Sequence, residues 1–99
     1  MARYDVYRLA KNDAFAVDIQ ANSMDLINTR VIVLLMPIAL APPIVRRLNP
    51  VFEIDSAAYV FVVQYIATVP LNALGNPVAS LKNESDAIQS ALDMLFNGF

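Results

Sequence analysis

Neither cysteine nor histidine occurs among the 99 residues. Without cysteine there can be no disulfide, no thiolate metal site and no cysteine nucleophile. Without histidine the commonest general base and the commonest metal ligand are missing too. No metal or cofactor is expected. Charge is also scarce. Seven basic and nine acidic residues leave a net −2, which is not a nucleic-acid footprint. No apolar stretch follows Met1–Asp5, so a signal peptide is not expected. Together these absences fit a cytoplasmic protein.

Apolar surface, by contrast, is abundant. Apolar residues make up 58% of the chain, against about 45–50% in a typical soluble domain. A single domain of this size buries only about 60–65% of its unfolded surface. The excess therefore points to a buried subunit interface, most simply a two-fold homodimer; the alternative is a dense monomeric core. Residues 31–45 form a fifteen-residue run with no polar side chain. A spanning helix needs about 20 such residues, and Pro37, Pro42 and Pro43 interrupt this run before Arg46 and Arg47 close it. The reading is a buried strand over 31–35 and a proline-rich connection, not a membrane span.

Elsewhere the patterns are short. Residues 3–9 have strand character through Tyr4, Val6 and Tyr7, and Lys11-Asn12-Asp13 is a turn cluster. Phe15, Val17 and Ile19 then alternate with Ala16, Asp18 and Gln20, which completes a hairpin. Residues 21–29 read as a loop, 30–35 as a strand covered on both faces, and 37–50 as irregular or partly helical. A strand over 51–55 places Phe52 and Ile54 on one face. Asp55-Ser56 turns the chain into a strand over 58–66. A further short strand over 68–71 is held to an edge or bulge by Pro70. After a turn at Gly75-Asn76-Pro77, residues 83–99 form one amphipathic helix. Its buried stripe is Ile88, Ala91, Leu92, Leu95 and Phe96, its N-cap Asn83. Glu84 and Asp86 suit its first turn, and Asn97-Gly98 is its stop. Phe99, apolar and aromatic, is expected to be docked in the core, in a second subunit or in a partner. Short strands with regular punctuation suggest a small barrel or a twisted antiparallel sheet in one domain, residues 1–99.

The order and spacing of several pieces resemble the CcdB toxins of plasmid and chromosomal toxin–antitoxin modules. These are Val17-Asp18-Ile19-Gln20, Asn28-Thr29-Arg30-Val31-Ile32-Val33, Arg47-Leu48-Asn49-Pro50-Val51-Phe52, Ala67-Thr68-Val69-Pro70 and the ending Leu92-Asp93-Met94-Leu95-Phe96-Asn97-Gly98-Phe99. The resemblance implies a mainly β fold, an SH3-like barrel with a C-terminal α-helix, assembled as a two-fold dimer. It implies a protein that is not an enzyme: it binds the A subunit of DNA gyrase, traps the cleaved DNA complex and is neutralised by a disordered antitoxin of the CcdA type.

By position, the resemblance assigns gyrase contact to Asp93, Phe96, Asn97, Gly98 and Phe99 at the helix end, and to Ser23 and Met24 in the loop after the second strand. Phe96 and Gly98 match the family ending Phe-Trp-Gly-Ile. Asn97 stands in place of the tryptophan, Phe99 in place of an aliphatic residue, Ser23 likewise, and Asp93 in place of an asparagine. Tryptophan is a typical interface anchor, worth about 2 kcal/mol or more on truncation, and asparagine cannot supply that area. Either the target differs, or Phe99 and Met24 anchor instead, or gyrase binding is weak or lost. Arg8, Arg46 and Arg47 would suit an acidic antitoxin segment. Arg30, beside a buried strand, is expected to pair with Asp18 or another carboxylate. Met94, with Leu35, Met36 and Ile66, is a candidate for the dimer interface.

Two other functions follow from the same residues. A non-toxic homologue would keep the antitoxin contact and lose gyrase. An endoribonuclease of the MazF type, on the same barrel, would need an acid–base pair and a cation, such as Asp18 or Glu53 with Arg30. The dimer is directly testable. Sedimentation at micromolar concentration should give about 22 kDa, twice the 10.9 kDa of one chain; a stable monomer there would overturn it.

Overall fold

A computed structural model describes residues 2–9, 14–24 and 26–98. Among the described residues six strands make one antiparallel sheet: β1 Asp5–Arg8, β2 Phe15–Asp18, β3 Thr29–Pro37, β4 Val51–Ile54, β5 Ala57–Pro70 and β6 Ala79–Ser80. Their order across the sheet is β4-β5-β3-β2-β1-β6, a nearly closed barrel. One helix, α1, spans Ser85–Asn97.

The expected hairpin is present, with Val6 opposite Val17 and Arg8 opposite Phe15. The turn cluster Lys11-Asn12-Asp13 lies outside the described residues. The alternation in β2 does not divide core from solvent, because all four of its residues are buried. Phe15 and Val17 join the main core, while Ala16 joins Tyr7, Ile32 and Leu74 in a second cluster on the other face of the sheet. The segment ending in Leu74 supplies this second cover, and a period-2 pattern carries no trace of it.

The two strands expected over 58–66 and 68–71 are one fourteen-residue strand, β5. It pairs with β3 along its length, but the register shifts: Val33 faces Ile66, whereas Leu34 faces Val62. Residues 63–65 are the surplus, and this bulge bends the strand so that one element serves two parts of the barrel. β4 pairs only with the first part, from Ala57 to Val60. Asp55 and Ser56 both adopt left-handed backbone, with φ of 51° and 68°. Two positive φ values between Ile54 and Ala57 are the signature of a tight two-residue hairpin turn matched to sheet twist.

Asn83 does not cap α1. A short 3-10 turn, Lys82–Glu84, comes first and leads into the helix, whose preceding residue Glu84 makes no side-chain cap. The other end behaves as expected: Gly98, at φ 79°, donates its N–H to the Met94 carbonyl at 3.1 Å, a left-handed stop that costs glycine nothing. Ile88, Ala91 and Leu92 enter the same core as Val6, Phe15, Phe61 and Val63. Leu95 still packs against that core, and the stripe leaves it only at the next residue. Leu95 is half-buried and Phe96 is 66% exposed. Leu35 belongs to the core, while Met36, Ile66 and Met94 are half-buried.

Tyr7 is fully buried, and among the described residues its hydroxyl has no hydrogen-bond partner. Burial pushes its pKa above the usual tyrosine value, and the Asp5 and Asp18 carboxylates push the same way. The folded state therefore holds the phenol proton more tightly than the unfolded chain. The resulting stability is complete below the ordinary tyrosine pKa of about 10 and is lost as pH climbs through the higher folded value. Tyr7→Phe should leave stability at pH 7 unchanged or raise it by up to about 1 kcal/mol, and should flatten the alkaline decline. Melting temperature against pH, for both proteins, measures this.

Candidate functional site

The residues assigned by the resemblance fall into separate groups. Asp93, Phe96, Asn97 and Gly98 occupy the last turn of α1 and its stop; Phe99 lies outside the described residues. Positions 93, 96 and 97 are three and four residues apart, so they share one helix face. Asp93 is half-buried and accepts a hydrogen bond from Gln89 Nε2 at 3.3 Å. Exposure rises from buried at Leu92, through half-buried residues 93–95, to exposed at Phe96, Asn97 and Gly98. No basic residue stands in the last turn. The helix therefore ends in an exposed phenyl ring, a carboxylate and the negative pole of its dipole. That surface suits an apolar contact rimmed by cations.

Ser23 and Met24 lie in a 3-10 turn, Asn22–Met24, and both are exposed. No hydrogen bond or ion pair joins them to the helix end among the described residues. A polar framework holds their loop in shape. Asp18 and Arg30 are 0% and 1% exposed. Asp18 Oδ2 accepts from Arg30 Nε at 2.9 Å and from its terminal nitrogen at 2.5 Å, so Asp18 is the carboxylate that Arg30 pairs with. The other oxygen, Oδ1, accepts the Gln20 backbone N–H at 2.9 Å. The Gln20 side chain accepts from the Val31 N–H at 3.1 Å and donates to the Met24 carbonyl at 3.0 Å. On the outer side, Asn22 Oδ1 accepts the Arg3 N–H at 2.8 Å. The buried ion pair is thus linked bond by bond to the loop that presents Met24.

Of the three arginines proposed for an antitoxin, Arg8 is exposed on β1, its guanidinium 5.1 Å from the centre of the Phe15 ring. The Phe15 ring meets Tyr59 edge to face at 5.0 Å, and Tyr59 is paired with Pro37 at the root of the β3–β4 connection. Arg46 and Arg47 lie further along that connection, both exposed. Sequence reasoning missed the residue that shapes this segment, Asn49. It is only 3% exposed. Its Oδ1 accepts the Val45 N–H at 3.0 Å, and its Nδ2 donates to the Phe61 carbonyl at 3.2 Å and to Gln64 Oε1 at 2.8 Å. It closes a turn in which Arg47 is left-handed, at φ 68°. The available signal was a short polar side chain between Leu48 and the apolar Pro50-Val51-Phe52, which is costly to bury unless fully bonded.

Among the described residues the fold is a six-stranded, nearly closed barrel carrying one C-terminal helix. It is similar to the solved structure of an endoribonuclease in complex with its cognate antitoxin from Mycobacterial species, with a TM-score of 0.74 and 18% identity over 95% of this chain and 92% of that one. At that identity the likeness carries the fold. The family follows from the sequence: the CcdB protein family matches residues 3–98, and the chain belongs to it. Membership places it among the toxins of toxin–antitoxin modules. No helix among the described residues is long and apolar enough to cross a membrane.

Arg30→Met should leave the Asp18 charge buried without its partner and cost about 3–5 kcal/mol. Combining it with Asp18→Asn should restore part of that loss. Denaturant unfolding of the single and double variants measures the coupling, and amide exchange over 20–28 should quicken in the single variant first.

Proposed function

We propose that the chain is a toxin that acts by binding rather than catalysis, holding the A subunit of DNA gyrase through the last turn of α1. The observation that carries this reading is Phe96, 66% exposed at the end of a helix whose Ile88, Ala91 and Leu92 are buried. An exposed ring beside Asp93, on a turn with no cation of its own, suits a partner that brings both an apolar pocket and positive charge. Phe99 and Met24 replace the bulk that Asn97 lacks, with Ser23 and Gly98 as close backbone neighbours in the contact. A homodimer would present the tail twice. A disordered, acidic antitoxin of the CcdA type is the neutralising partner, with Arg8, Arg46 and Arg47 as its cationic contacts.

The endoribonuclease reading is less well served by these residues. It needs a cation that can reach a phosphate, whereas Arg30 is 1% exposed and bound to Asp18, its proposed acid–base neighbour. Asn97 keeps the non-toxic homologue in view as the alternative.

Titration calorimetry into the gyrase A-subunit fragment from the same host tests the proposal. Saturable binding is expected, with Phe96→Ala weakening it by about 2 kcal/mol or more and Phe99→Ala also reducing it. Growth arrest on expression without an antitoxin, relieved by a gyrase A-subunit mutation, is the cellular counterpart. No binding at tens of micromolar by a folded protein would favour the non-toxic homologue.

A further inference from the structure

The barrel is left open between its two edge strands. Among the described residues β4 pairs only with β5, and β6 only with β1. Between them lies a cleft of about 290 Å³. Val51, Phe52 and Glu53 line one wall, and Ser80, Leu81 and Glu84 the other. Phe52 and Leu81 are each 5% exposed and give the cleft an apolar base, whereas Glu53, Ser80 and Glu84 are exposed.

Both walls turn backbone groups into this seam. In an antiparallel ladder, residues that exchange both backbone bonds with the neighbouring strand alternate with residues that exchange neither. The Phe61 N–H is bonded to the Pro50 carbonyl at 2.9 Å. By the register of β4 on β5, Phe52 and Ile54 are then the bonded residues, and Val51 and Glu53 direct N–H and C=O away from β5. On the other wall the Leu81 N–H is bonded to the Tyr4 carbonyl at 2.9 Å. Ser80, next in register and opposite Asp5, therefore faces its backbone away from β1.

The charge at the seam is of one sign. After Arg47 the chain has five acidic side chains, Glu53, Asp55, Glu84, Asp86 and Asp93, and a single cation, Lys82. No ion pair joins Lys82 to Glu53 or Glu84 among the described residues. The seam thus offers a carboxylate on each wall, outward backbone donors and acceptors between them, and an apolar base below.

We propose that the seam between β4 and β6 is a docking site for an extended segment of a partner protein that carries an arginine. Main-chain bonds to Val51 and Glu53 would align the segment. The guanidinium would lie between Glu53 and Glu84, with its aliphatic stem on Phe52 and Leu81. Charge complementarity selects this occupant, since an acidic segment would meet two carboxylates that no cation offsets. A second copy placed seam to seam would bring Glu53 and Glu84 of both copies together, and like charges oppose that contact. This site is separate from the helix end and from the three arginines assigned above to an antitoxin.

The probe is a capped heptapeptide of alternating threonine and valine with arginine at its centre. Its counterparts carry citrulline, which keeps the shape without the charge, or glutamate at that position. Each is added to isotope-labelled protein. The arginine peptide should bind saturably and slow amide exchange at Val51, Glu53 and Ser80, while Phe52 and Ile54, already bonded to β5, change little. Glu53→Gln with Glu84→Gln, checked for an unchanged melting temperature, should weaken binding about tenfold, a loss of the size that two charge contacts give. Arg46→Ala with Arg47→Ala should leave it unaltered. Equal binding of the citrulline peptide would overturn the proposal. So would an absence of shifts on both walls at millimolar peptide, or protection there that rises with protein concentration alone and marks a second copy.

Discussion

The buried pair of Asp18 and Arg30 is the constraint on which this fold turns. Two ions removed from water are tolerable only when they meet in good geometry and their remaining hydrogen-bonding capacity is used. Asp18 meets that condition with both oxygens engaged, one by the guanidinium and one by the Gln20 backbone. Satisfying the pair fixes the end of β2 against the start of β3, and with it the entry and exit of the loop between them. Gln20 transmits the restraint outward to Val31 and Met24. A loop that carries surface residues is thereby anchored on a charge that never sees solvent, and the arginine that looked most like a reactive cation is committed to architecture.

The opposite arrangement governs the helix end. Its first turns are pinned by Ile88, Ala91 and Leu92 in the main core, and Gly98 terminates it in a left-handed cap. Between these fixed points the helix emerges gradually, with Leu95 still packed against the core while Phe96 faces solvent. Pre-ordering an exposed aromatic ring in this way lowers the entropic cost of docking it, and supports contact with a partner even though Asn97 offers little area of its own.

Much of the frame was legible because it depends on local rules. The first hairpin follows from alternation, the Asp55-Ser56 turn from its residues, the helix stop from Gly98, and the Arg30 partner from the cost of burying a lone cation. What was not legible depends on layers and neighbours. Both faces of β2 are covered, and no periodicity in Phe15–Asp18 announces the second cover. The bulge at 63–65 falls inside one expected strand and left no trace in the pattern, since it is set by how β5 bends around β3 and not by any breaker in its sequence. Phe96 has the spacing of a core residue, but spacing cannot say how far along the helix the core extends. Asn49 lies in a segment that reads only as irregular or partly helical, whereas its side chain ties three separated backbone and side-chain groups together.

The pairing of β6 with β1 sets Asp5 opposite Ser80 and Val6 opposite Ala79, and α1 enters the same core as Val6. The first strand of the barrel therefore cannot complete its pairing, or its side of the core, until a segment roughly 75 residues downstream has arrived. Closing a loop of that length costs conformational entropy before any contact repays it, and such non-local pairing slows folding. Until then β1, the core-facing side of β2 and the uncharged stretch of β5 are open to other chains. The same connectivity makes closure of the barrel a late step of folding, during which these segments remain unpaired.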